Sequence, residues 1–503
     1  MNLEAEIVVI GGGGTGLAAA LSAYESGCSK IIVLEKAGSP GGSSAMAHDL
    51  FGVGSPVQKR MGTDARSEDF FKVAMRWSHW SKVNPRVVRA FIDKSGDTIR
   101  WLEEKGVKFK LGQFYINQSP RIRHPIEGRG AEMMRILAAH CREKGIQILT
   151  HTPANKVIRG KGNELHHVLA KSAETKYDIA AKCVIFASGG YAANKEMLAK
   201  YCSFYNPEVA INQGLRGNMG DGIKMAVEIG AATASLGNIM FHGPHVSPSD
   251  KTRFQIINDN GETKVVGVDP LVREPETLWV NRKGRRFVDE GYNLSSFAHA
   301  TVTAQQPGGI MYAIYDMQVL KYIEENGLVR LGAYGDLPGL ATPERPMAGQ
   351  TLPGFTKVFL SEAPKSPYIK ISDSLDEIAA WIGAKPEVFK AAFNEYNAIC
   401  EKGRDTLFGK DYTYLMPLKT PPFVAVRGQA CICDAIGGIK INEKMEVVDA
   451  EDEALPGFYA GGSTSGGWES ENYCYELTGH LLGFALNSGR IAGENAVKYI
   501  SGQ

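Results

Sequence analysis

The sequence predicts an α/β fold: a Rossmann-like dinucleotide-binding domain interrupted by a second lobe of mixed α+β character. Three observations carry that reading. An apolar strand runs into a glycine-rich turn and a helix at the N-terminus. A second apolar strand ends in an acidic residue, and strand, glycine cluster and long helix return at the far end after an irregular middle region.

The first strand is the apolar run Ala5 to Ile10 (AEIVVI), followed by Gly11-Gly12-Gly13-Gly14-Thr15-Gly16 and a helical stretch LAAALSAYESG. The second, Ile31 to Leu34, ends at Glu35-Lys36, with Glu35 19 residues after Gly16. Each spacing has a physical reason. Gly11 lets the chain turn sharply, Gly13 withholds a Cβ that would strike a pyrophosphate, and Gly16 lets helix and strand pack closely. Gly14 and Thr15 open the helix, where unpaired N–H groups receive phosphate charge. Glu35 is placed to accept hydrogen bonds from ribose hydroxyls.

Helices are predicted over Pro85 to Glu104 and Gly130 to Glu143, then a strand over Ile146 to Thr150, a polar hairpin around Gly160 to Asn163, and a strand over Cys183 to Ala187 running into Ser188-Gly189-Gly190. A helix over Met219 to Ile229 is opened by Gly220-Asp221-Gly222. From about Met240 to Gly428 strands and helices lose their regular alternation, with a helical pair at Leu375 to Ile382 and Pro386 to Lys402. The chain then returns to a strand at Gly457 to Ala460 and closes with a helix from about Thr478 to Tyr499. We therefore divide it into residues 1–239, 240–430 and 431–503, the outer two forming one domain and the middle one a cap.

With 56 basic against 55 acidic residues the net charge is +1, so no global field recruits nucleic acid or an anionic membrane. The expected partner is a small molecule. The eight cysteines are scattered; Cys431 and Cys433 lie close together but lack the second ligand pair of a zinc site. Met1 leads directly into a strand and no apolar run reaches membrane-span length, which predicts a cytoplasmic protein.

These motifs together resemble the flavoproteins related to fumarate reductase, succinate dehydrogenase, L-aspartate oxidase and 3-ketosteroid dehydrogenase, over nearly the whole chain. Gly41-Gly42-Ser43-Ser44 looks like the second FAD segment of that family, and Ala187-Ser188-Gly189-Gly190 like its third. Asn281-Arg282-x-Gly284-x-Arg286-Phe287-x-x-Glu290 is similar to its cap turn. Gly457 to Gly462 and Ser488 to Gly493 resemble its C-terminal flavin segment. The resemblance implies a glutathione-reductase-like FAD-binding domain with an inserted cap, and FAD as cofactor. It also implies flavin contacts from Gly461 and Gly462 and from the start of the closing helix near Gly479, Leu481 and Leu482, where a helix N-terminus would meet negative charge on a reduced ring.

The departures are as informative. Fumarate reductases carry a catalytic arginine where this chain has Gly291-Tyr292-Asn293-Leu294-Ser295-Ser296, a histidine where it has Asp434, and a carboxylate-binding arginine where it has Glu476. Without those cations a dicarboxylate is poorly held. Tyr475-x-x-x-Gly479 falls where 3-ketosteroid dehydrogenases place a tyrosine and a glycine N–H that polarise a carbonyl. Tyr475 is equally readable as a core aromatic, and Tyr473 competes as the donor. His242 in Phe241-His242-Gly243-Pro244-His245 resembles a substrate-facing histidine of the family and could relay a proton or simply be hydrogen-bonded. Tyr292 is a further candidate acid, and Arg286 with Glu290 is expected to brace the cap turn.

The function expected is an FAD-dependent reductase or dehydrogenase acting on the CH–CH group of a neutral bulky substrate, carbonyl-activated or aromatic, of steroid, bile-acid or isoflavonoid type. Tetrahydrodaidzein reductase belongs to the same broad group. Two alternatives stand beside it: ketosteroid dehydrogenation in the oxidative direction, and an electron-transfer flavoprotein subunit. L-Aspartate oxidase-like chemistry is weakened by the missing arginines. No second nucleotide site is visible, so an external donor is expected, either NADH or a reduced flavin or ferredoxin-type carrier.

Overall fold

The computed structural model describes residues 1–112, 119–162, 164–257, 261–294, 299–328 and 349–502. The chain begins with β1 (Asn2–Ile10), α1 (Gly14–Glu25) and β2 (Ile31–Leu34), followed by α2 (Pro85–Glu104), α3 (Arg129–Glu143), β3 (Gln147–Leu149), β4 (Ala154–Ile158), β5 (His166–Lys171) and β6 (Lys176–Phe186). β1 lies between β2 and β6, parallel to both, and β3 extends the sheet beyond β2. The C-terminal half of β1 is buried on both faces, as a central parallel strand must be.

The middle of the chain supplies α4 (Asp221–Glu228), β7 (Ile239–His245), β8 (Leu278–Asn281), α5 (His299–Ala304), β9 (Ile310–Tyr315), β10 (Ile369–Ser372), α6 (Leu375–Ile382), α7 (Pro386–Lys402) and β11 (Phe423–Ala435). β7, β11, β9 and β8 form a second sheet in that order, with β10 also pairing to β11. Its own core gathers Trp279, Tyr315, Phe355, Phe359 and Tyr396. The expected brace is present. Arg286 donates from Nε and Nη2 to the two oxygens of Glu290 at 2.9 and 2.8 Å, and Nη2 also reaches Asp405 at 2.7 Å.

The end of the chain then returns to the first sheet. β12 (Glu446–Val448) and β13 (Ala454–Ala460) add to it through β13, which runs parallel to β6, and α8 (His480–Ser501) packs along α1. The close approach of those helices depends on small residues. A Cβ at Gly489 would lie 2.2 Å from the Thr15 carbonyl oxygen, and one at Gly493 would lie 2.3 Å from that of Ala19.

Most expected elements fall within a residue or two of their places, and two differences have clear causes. The strand expected at Cys183 to Ala187 starts at Lys176, because its first half pairs with β5 and keeps a mixed burial pattern that hides it among polar residues. The closing helix starts at His480, because Gly479 caps it at φ +83°, a left-handed conformation suited to glycine. Of the Gly160 to Asn163 hairpin, Asn163 lies outside the described residues. No helix among the described residues is long and apolar enough to cross a membrane.

Candidate active site

A cleft with a cavity volume of about 110 Å³ opens at the carboxyl ends of β1, β2 and β6, the edge at which parallel α/β sheets bind ligands. Gly11, Gly13, Gly14 and Thr15 line it together with Gly42, Ser43 and Ser44, Glu35 and Lys36, and Ala187, Ser188 and Gly189. No side chain caps α1 at Gly13, and its first turn carries no acidic residue. Its opening is therefore a site of positive potential.

The glycines divide by what surrounds them. A Cβ at Gly13 would meet nothing of the protein closer than 3.9 Å, so the space there is left for something else. Gly16 borders no ligand space: its Cβ would fall 1.8 Å from the Gly11 carbonyl oxygen, which makes it a packing position. Gly41 also packs inward, its N–H donating to the Gly12 carbonyl at 2.8 Å.

Glu35 is 8% exposed, and its oxygens each accept one backbone N–H, from Gly12 at 2.8 Å and Ala37 at 2.7 Å. Each carboxylate oxygen retains a lone pair for a further donor. Lys36 bridges to Asp221 at 2.7 Å and also donates to the Gly217 carbonyl, so the two sequence-singled residues pair with each other across the cleft wall. These features suit a dinucleotide: backbone donors without a Cβ beside them, hydroxyls from Ser43 and Ser44, and a buried carboxylate one strand away.

Asp434, Ser463 and Ala485 also line the cleft. Asp434 accepts from Ser463 Oγ at 2.8 Å and from the Ala435 N–H at 2.9 Å, and burial pushes its carboxyl up to about 6. In the ladder between β7 and β11, Asp434 is the partner of Met240, and Met240 and Leu481 pack against the buried pair Tyr473 and Tyr475. The cleft and the tyrosines are thus neighbours.

The expected donors are arranged differently from their sequence pairing. Tyr475 donates its hydroxyl to the Phe241 carbonyl at 3.0 Å. The Gly479 N–H donates to the Tyr473 hydroxyl at 3.2 Å, and no acceptor for the proton of Tyr473 is found among the described residues. Its ring stacks on His480 at 4.1 Å, and His480 bonds the Leu477 carbonyl and Glu469. Gly461 and Gly462 face Thr15 and Ser488, Leu482 sits in the main core, and Ala485 is the α8 residue that borders the cleft. Periodicity along α8 explains this, since the cleft-facing side starts more than a turn after its cap.

His242 stands half-buried on β7, with Nδ1 3.0 Å from His245 Nε2. Tyr292 is 37% exposed on the lobe, in the turn after Glu290, and the stretch it belongs to leaves the described residues at Ser295 and Ser296. Sequence reasoning did not single out Asn218, whose side chain donates to Ser43 at 3.1 Å on the cleft wall, or Arg273 and Asp269 beside the histidines. Asn218 carries no local motif. Asp269 had no signal except its charge.

The family described as FAD binding domain matches residues 6–473. The chain is 28% identical to vinyl phenol reductase of Lactiplantibacillus plantarum, over 98% of this chain and 96% of that one. It is 25% identical to NADH:fumarate oxidoreductase of Klebsiella pneumoniae over 99% of this chain, but spans about half of that protein, 48%. Among solved structures, 3-ketosteroid-Δ4-(5α)-dehydrogenase from Rhodococcus jostii RHA1 shares the fold with a TM-score of 0.72 at 20% identity, covering 99% of this chain and 97% of that one.

Proposed function

This chain belongs to the FAD binding domain family, and from that premise we propose that it is an ene-reductase for a neutral, bulky, carbonyl-activated or aromatic substrate. Its cofactor is FAD, and its class is FAD-dependent oxidoreduction of a CH–CH group. The observation that carries the finer reading is the make-up of the junction between cleft and lobe. Asp434 lines the cleft, Met240 pairs with it across the ladder, and Tyr473, Tyr475 and Leu481 pack with Met240, none of them a cation. A vinyl phenol is itself an uncharged aromatic alkene, and the relative named for it matches along nearly the full length of both chains.

In this proposal the N–H groups opening α1, with Gly13, Gly14, Ser43 and Ser44, hold the pyrophosphate, and Glu35 holds the adenosine ribose. Gly189 and Asn218 line the same cleft as Asp434. When bound, FAD supplies a hydride at N5. The chain has to position the double bond, polarise its activating group and deliver one proton. Tyr473, held by the Gly479 N–H, donates a hydrogen bond from its own hydroxyl to a substrate oxygen without giving up the proton. His242 delivers the proton to carbon. The division at residues 239/240 and 430/431, a cytoplasmic location and an external donor, NADH or a reduced flavin or ferredoxin-type carrier, complete the proposal.

The test is anaerobic. FAD-loaded protein reduced with dithionite is mixed with vinyl phenol, an enone steroid, an isoflavone or fumarate, and recovery of the oxidised flavin spectrum is timed. Recovery is expected to be fast with at least one neutral compound. Fumarate matching the best of them would overturn the neutral-pocket reading.

A further inference from the structure

The bulged ladder between β7 and β11 brings two histidines of one strand together. Register shifts between His242 and His245, and the rings stack with centroids 5.3 Å apart and 23° between planes. His242 Nδ1 lies 3.0 Å from His245 Nε2, and His245 Nδ1 lies 3.1 Å from Asp269 Oδ2. Asp269 is held in turn by the Val246 N–H on Oδ1 at 2.8 Å. Three groups therefore form one line.

Proton positions along that line follow from donor and acceptor counting. An ionised carboxylate only accepts, so His245 carries its proton on Nδ1 and presents a lone pair at Nε2. The Gln213 amide, 3.5 Å from the same Nε2, suits a lone pair there. The proton between the rings then belongs to His242 Nδ1, and Nε2 is the nitrogen of His242 that takes no part in that bond. Asp269 remains ionised: burial works to raise its carboxyl, but the hydrogen bonds from His245 and the Val246 N–H, with the charge of Arg273, outweigh burial and lower it.

We propose that His245 and Asp269 are positioning residues which fix the tautomer of His242 and hold the charge created when His242 Nε2 takes up a proton. Uptake at His242 Nε2 lets its Nδ1 proton pass to His245 Nε2, and the resulting imidazolium faces the Asp269 carboxylate. Delivery is the reverse: Nε2–H breaks as the new bond to substrate carbon forms, and the proton between the rings returns to His242 Nδ1. One proton enters from water and one leaves, with no change in electron count beyond the hydride supplied by FAD. The other groups facing the line are Arg273, whose Nε donates to the Asp269 carbonyl, His299 beside Gly243, and Cys431, which burial keeps a thiol, opposite His242.

This inference rests on the proposed role of His242, and its test separates the two. In FAD-loaded protein labelled with ¹⁵N-histidine, nitrogen shifts report the tautomer of each ring without any substrate. The native protein is expected to show His245 protonated at Nδ1 and His242 at Nδ1, and Asp269→Asn to change both signals. In the timed reoxidation above, Asp269→Asn and His245→Gln are expected to lower the rate about tenfold to a hundredfold, at or below the ~10² to 10⁴ of a general acid–base group itself, with the alkaline limb of the pH profile moved to lower pH. FAD content and the visible spectrum should stay unchanged. A native His242 protonated at Nε2 alone, or unchanged His242 and His245 signals in Asp269→Asn, overturns the relay. So does an unaltered pH profile in both variants when His242→Ala is impaired. If His242→Ala keeps full activity while the tautomers are as expected, the assigned role of His242 fails and the line of hydrogen bonds does not.

Discussion

The Gly479 N–H donates to the Tyr473 hydroxyl across 3.2 Å, and that bond separates two tyrosines which sequence alone leaves equivalent. An oxygen that accepts from an amide keeps its own proton to give. Tyr475, two residues on, spends its proton on the Phe241 carbonyl.

Tyr473→Phe is therefore expected to lower turnover by ~10² to 10³ with FAD retained, the usual cost of one donor to a developing oxyanion. Tyr475→Phe should instead act mainly on stability. It leaves the buried Phe241 carbonyl short of a partner, at about 1 to 3 kcal/mol. Parallel thermal melts and reoxidation rates check the pair, and the opposite pattern would return the donor role to Tyr475.

Two glycine substitutions distinguish ligand space from packing. Gly13→Ala should leave the FAD-free protein folded, since its Cβ meets no protein atom within 3.9 Å, but should abolish or strongly weaken FAD retention. Gly16→Ala should damage folding itself, because its Cβ would fall 1.8 Å from the Gly11 carbonyl oxygen. Circular dichroism and bound-flavin content read both outcomes.

Glu35→Ala is expected to weaken FAD retention for two reasons. It removes the ribose acceptor, worth ~1.5 to 3 kcal/mol per charged hydrogen bond, and it releases the Gly12 and Ala37 N–H groups that the carboxylate holds. Titration of FAD into the stripped variant measures the loss.

The buried Asp434 carboxyl gives stability a pH signature. Its folded pKa, about 6, lies above the unfolded value, so the folded state favours the protonated form. That contribution is fully present below about pH 4 and is lost as pH rises through about 6. Asp434→Asn should therefore be more stable than the native chain above pH 7, by on the order of 3 kcal/mol, with the difference vanishing near pH 4. Denaturant melts at the two pH values check this, and a difference that grows toward acid would show that Asp434 is ionised in the fold.

Local chemistry made much of this protein legible from its sequence. The turn from Gly11 to Gly16, the acidic end of β2, the helix starts at Pro85 and Pro386 and the Arg286–Glu290 brace all depend on neighbours a few residues apart, where backbone sterics and short-range spacing dominate. What only the tertiary structure decided lies at long sequence separation. Gly461 and Gly462 turned out to pack on Thr15, Tyr475 to bond Phe241 some 234 residues away, and Asp434, which lines the cleft, to pair with Met240. His242 meets His245, and His245 meets Asp269, where the register of β7 shifts between the two histidines. Spacing along a chain sets periodicity, but which hydroxyl gives its proton and which accepts depends on whatever folding brings within 3 Å of it, and no local pattern encodes that.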